Sequence, residues 1–212
     1  MRPTSLRLTC TAICVGLFFC ALPGAAAQEP KQTPENTISI QLAEPVKPQA
    51  FPSPVKFLVV DAIDRSGNPQ PMLVFKPRGG IYLDRKPTEV VRQALEESLK
   101  AAGLLAPDAA SADYLLTVYV FHFGLAGGSG MEYFGKLDLG VMVKNPRTGK
   151  SQQVTAMGAS IQGIAVRKKN ILKNVKANLE EALHDGLRNL LRGQKLRDAV
   201  TAGGAPASTG NP

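Results

Sequence analysis

The chain has 212 residues, with 25 basic against 17 acidic side chains, a formal net charge of +8, two histidines and three cysteines. Those numbers exclude a disulfide-stapled scaffold and a cysteine-rich metal domain. The length suits one domain of ordinary size with flanking segments.

Residues 1–27, "MRPTSLRLTCTAICVGLFFCALPGAAA", read as a secretory signal peptide. Arg2 and Arg7 form the positive start, a short apolar run follows, and Ala25 to Ala27 supply the small residues before a cleavage site. The apolar run falls short of the roughly 20 residues a membrane-spanning helix needs. All three cysteines, Cys10, Cys14 and Cys20, lie in this segment. Bulky Phe18 and Phe19 precede Cys20, a poor setting for lipid attachment, so cleavage after Ala27 and a product starting at Gln28 are expected. Without Arg2 and Arg7, the 25 basic residues become 23 against 17 acidic, a net of +6. The expected location is the periplasm. Export removes nucleic acid from the expected partners and leaves envelope proteins and anionic envelope lipids.

Residues 28–54 hold six prolines and read as an extended tether. The alternation of Ile38, Ile40 and Leu42 within it predicts a short strand docked on the domain. Apolar runs at 56–64 and 71–77 predict two strands. From 87 to 103 the spacing of Val91, Ala94, Leu95, Ser98, Leu99 and Ala102 predicts a helix, N-capped by Thr88 and ended by Gly103. The aromatic and β-branched run 113–123 predicts a strand. A loop rich in glycine follows, with Gly127, Gly128 and Gly130 as a flexible contact element. Residues 133–145 then alternate, with Leu137, Leu139, Val141 and Val143 on one face. A tight turn at "NPRTGK" returns the chain as a paired strand from Ser151. Between 170 and 193, Leu172, Val175, Leu179, Leu183, Leu187 and Leu190 form one helix face. The end, "TAGGAPASTGNP", is small and polar, and residues 194–212 read as a disordered tail. One domain at 55–193 follows, an α+β two-layer sandwich. Its sheet is mostly antiparallel, with about five strands and two helices packed on one face.

"RTGKS" at 147–151 invites a nucleotide-binding reading. A phosphate loop needs a glycine where this chain has Lys144, and a helix behind it rather than a strand. The hairpin reading explains more. His122 falls on an alternating strand with Leu116, Val118 and Val120, far in sequence from His184, so a structural role outweighs a catalytic one. Asp61, Asp64 and Asp84 have no spacing that pairs them. No catalytic residue, metal site or cofactor is expected. The densest basic run is 166–176, where Lys168, Lys169, Lys173 and Lys176 gather at a helix start. Positive charge there opposes the helix dipole, which makes these lysines candidates for an anion or an acidic partner.

"RGGIYLDRKPTEVVRQALEESLKAAGLL" followed by "ADYLLTVYVFHF" resembles the YajG-like envelope lipoproteins, and "SIQLAEP" and "VVDAIDRSG" fit the same layout over about residues 38–191. The resemblance implies a small bacterial α/β envelope protein and transfers no catalytic residue. The functional expectation is a non-enzymatic envelope protein acting through protein contacts. The alternative is a lipid or lipopolysaccharide binder using the basic helix start and an apolar gap between sheet and helices.

Overall fold

The computed structural model describes residues 36–67, 72–75, 79–127, 132–165 and 170–202. The predicted leader, Lys168, Lys169, Gly128, Gly130 and residues 203–212 lie outside them.

In chain order the elements are β1 (Thr37–Ile38), β2 (Phe57–Asp64), β3 (Met72–Phe75), β4 (Gly79–Leu83), α1 (Pro87–Ala101), β5 (Tyr114–Gly127), β6 (Glu132–Lys144), β7 (Ser151–Ala159), β8 (Ile164–Ala165), α2 (Ile171–Arg192) and α3 (Gln194–Ala202). The main sheet runs β2-β5-β6-β7, with β8 also on β6, and a three-stranded sheet runs β1-β4-β3. The meander β5-β6-β7 is antiparallel, whereas β2 pairs β5 in parallel. The α+β sandwich therefore holds. The strands divide between two sheets, and the described residues contain three helices where two were expected.

Alternation builds the core. Leu137, Leu139, Val141 and Val143 are buried on the inner face of β6, and Tyr114, Leu116, Val118 and Val120 on that of β5. The stripe Val175, Leu179, Leu183, Leu187 and Leu190 of α2 meets them. Contact between α2 and the sheet is closer than side chains would permit. A Cβ on Gly158 would lie 2.2 Å from the Ala182 carbonyl oxygen and 2.2 Å from the Gly186 nitrogen. On Gly135 it would lie 2.2 Å from the Asn178 carbonyl oxygen. Beside that second point, buried Ser160 donates to Asn178 Oδ1 at 2.6 Å and accepts from Gly135 N–H at 2.9 Å.

Helix α1 starts two residues earlier than expected. Its N-cap is Lys86, Pro87 opens the first turn, and Thr88 is buried inside it. Gly103, at φ +68°, follows its C-terminus as predicted.

The expected tether is a fixed strap where it is described. Val46 N–H donates to Ser98 Oγ on α1 at 3.1 Å, and Ser98 in turn donates to the Ala94 carbonyl at 2.8 Å. Gln41 N–H reaches Glu180 of α2 at 3.3 Å, and Gln49 N–H reaches the Leu191 carbonyl at 3.2 Å. Ile40 and Val46 are buried beneath these bonds. Beside Ile40 a cavity of about 110 Å³ remains, lined also by Leu42, Val90, Ala94 and Leu183.

Residues 194–202 correct a second expectation. They form α3 rather than the start of a disordered tail, because Leu196, Ala199 and Val200 make one apolar stripe and bury it. Fully buried Tyr114 donates its hydroxyl to the Val200 carbonyl at 2.6 Å.

Gly158→Ala should destabilise by about 3 kcal/mol, since α2 must lift off the sheet to admit a methyl group. Gly127→Ala, whose Cβ meets nothing within 4 Å, should be close to neutral. Urea unfolding of both variants checks the contrast, and equal losses would contradict it.

Candidate functional site

All three helices pack on the inner face of the main sheet. The outer face carries no helix among the described residues. Its apolar exposure comes from a local irregularity in each of two strands. The β2 register skips Val60, and the β5 register skips Phe121. Each skipped residue is 42% exposed, and Met157 on β7 is 66% exposed. A β-bulge re-aims a side chain, and here it presents an apolar one to solvent. The Phe121 ring lies over Gly140, where a Cβ would come within 2.9 Å of it. Gly140 thus leaves room for the ring. On the same face Arg65 sits 5.7 Å from the centre of the Tyr119 ring, a cation–π contact.

The β5 bulge also corrects the placement of His122. Alternation put it with buried Leu116, Val118 and Val120. The extra residue reverses the parity, so Phe123 turns inward and His122 pairs across the sheet with Asp138. Asp138 forms an ion pair with Lys136 at 2.7 Å. Its Oδ1, and His122 Nε2, are buried without a hydrogen-bond partner among the described residues. Burial and the nearby Lys136 charge lower the His122 pKa, and Asp138 opposes them. No grouping of three His, Cys, Asp or Glu side chains among the described residues can hold a metal ion.

The "RTGKS" stretch is a hairpin turn followed by β7. Asn145 Oδ1 accepts from Arg147 and Thr148 N–H, and Gly149 has φ +71°. Of the basic candidates, Lys173 is exposed in the first turn of α2. Lys176 pairs with Glu180 at 3.7 Å, the carboxylate that also holds the strap. Gly127 is exposed at the end of β5. The fold keeps these residues apart from Val60, Phe121 and Met157, which sequence reasoning missed. No sequence signal marks the bulge: Tyr119, Phe121 and Phe123 keep the i, i+2 spacing straight through it.

The chain matches no family model and no curated protein. It is similar to the crystal structure of a Xanthomonas campestris protein of the DUF330 family, with 15% identity and a TM-score of 0.56, over 78% of this chain and 98% of that one. Others are a PelC dodecamer from Paraburkholderia phytofirmans, with 16% identity and a TM-score of 0.40 over 69% and 96%, and a minor lipoprotein from Acinetobacter baumannii, with 15% identity and a TM-score of 0.32 over 70% and 94%. The Xanthomonas likeness is one of fold. No helix of the described residues is long and apolar enough to cross a membrane.

His122 supplies a pH prediction. Its folded pKa lies below the ordinary 6.5, so the unfolded chain takes up the proton first as pH falls. Stability from this residue is present above the unfolded value and is lost as pH drops toward the folded one. Melting temperatures measured from about pH 8 to about pH 5 should show that loss, and His122→Gln should flatten it. Parallel profiles would show that His122 does not titrate with folding.

Proposed function

We propose that this chain is an exported protein of the bacterial cell envelope that acts through contacts with other proteins and performs no catalysis of its own. The observation that carries this reading is the outer sheet face, where two bulges place Val60 and Phe121 in solvent beside an open row that ends at Met157. Exposed apolar surface on an uncovered face is a mark of protein contact. The leader-like start and the resemblance to YajG-like lipoproteins both support the envelope. Among the described residues, His122 has cross-strand partners but no nucleophile beside it in the sheet register.

A second reading, binding to anionic lipid or lipopolysaccharide, rests on Lys173. It sits in a first helical turn that has no acidic side chain to offset the dipole. Lys168 and Lys169 precede it in sequence.

Crosslinked envelopes probed with the wild type should yield defined protein partners. Phe121→Ser combined with Met157→Ser should lose them while the melting temperature stays near the wild-type value. Unchanged capture by that variant would remove the outer face from the reading. Co-sedimentation with anionic liposomes at low salt, lost when Lys168, Lys169, Lys173 and Lys176 are all changed to Gln, would favour lipid binding instead.

A further inference from the structure

A sheet edge exposes unpaired backbone groups, and folded proteins guard such edges. The β2 edge is guarded over its first half. Phe57 N–H donates to the Leu104 carbonyl, and Ala106 N–H donates to the Phe57 carbonyl, both at 2.8 Å. Arg92 donates to the Val59 carbonyl at 3.4 Å, and the bulge at Val60 breaks the row beyond it. Half of the β7 edge is guarded as well. Asn189 of α2 donates to the Met157 carbonyl at 2.7 Å, and Ala159 N–H donates to Asp185 at 3.2 Å.

Those two bonds identify which residues direct their backbone groups away from β6. Met157 and Ala159 do, so Thr155, Gln153 and Ser151 do too, by the two-residue repeat of a strand. Their edge groups have no partner among the described residues. All three side chains are exposed and uncharged, and the stretch contains no proline and no bulge. It has none of the guards seen at Phe57 and Val59 of β2 or at Met157 and Ala159 of β7.

We propose that the edge Ser151–Thr155 pairs antiparallel with the same edge of a second copy of this chain, with Gln153 opposite Gln153 on a two-fold axis. This names the partner for one surface and rests on the reading that the protein works through protein contacts. The register is self-complementary. Gln153 meets Gln153, Ser151 meets Thr155, and about six ladder hydrogen bonds form, two for each hydrogen-bonded pair. No like charges stand opposite each other. Lys150 falls beside Ala156 of the second copy, toward the end where Asp185 caps Ala159, so unlike charges approach. The contact is isologous and closes as a dimer.

The test is sedimentation equilibrium of the full chain, expressed with its own leader, over micromolar concentrations. Wild type should be a dimer. Gln153→Lys sets like charges opposite each other at the axis and should weaken the dimer about tenfold or more. Gln153→Glu should do the same, and a mixture of the two variants should restore dimers containing one of each. Thr155→Pro removes only an edge N–H, so it should also dissociate the dimer while the circular dichroism spectrum is retained. A monomeric wild type, or a dimer that neither charge variant weakens, would overturn the proposal. Envelope partners captured by a monomeric wild type would leave the wider reading intact and remove this one.

Discussion

Helix α2 meets the sheet backbone to backbone, and the rest of the architecture takes its dimensions from that contact. Gly158 on β7 and Gly186 on α2 lie against each other, and Gly135 on β6 lies under the Asn178 carbonyl. A helix normally stands off a sheet by the length of its side chains. Here the absence of three β-carbons draws it in, and Leu137 fills the space directly beneath Gly186. The Ser160–Asn178 hydrogen bond ties the same crossing with buried polar groups, which are costly to leave unpaired.

One consequence lies on the inner side. With α2 held low over β6 and β7, α1 packs over β2 and β5, and the strap carrying Ile40 and Val46 bonds to both helices. Its backbone bonds to Ser98, Glu180 and Leu191 turn a segment rich in proline into part of the core wall. Another consequence lies at the rim. Held over β7, α2 brings Asp185 and Asn189 within reach of its edge, so the helix that builds the core also guards part of the sheet. The outer face receives nothing from either helix. The bulges at Val60 and Phe121 therefore act on a surface already open to solvent.

Periodicity was legible in the sequence. The inward residues of β6, the stripe of α2, the hairpin at Asn145–Lys150 and the Gly103 stop of α1 follow from spacing and turn chemistry alone, because each is decided within a few residues. So was the mixed α+β class, since two amphipathic helices and an alternating meander have few ways to bury their apolar faces together. The strip at 194–202 was legible as well, through Leu196, Ala199 and Val200, but the surrounding small residues masked it.

The sequence by itself determined which faces are apolar, where the chain turns, and that the cysteines fall in the predicted leader. Only tertiary structure decided that His122 leaves the core, because a single skipped residue in β5 reverses every side chain after it. Tertiary structure also decided that the proline-rich segment is fixed to the helices, since its bonds reach partners 52 and 139 residues away. The edge of β7 is guarded at Met157 and open at Gln153 for the same reason. The difference lies in how far the side chains of α2 can reach.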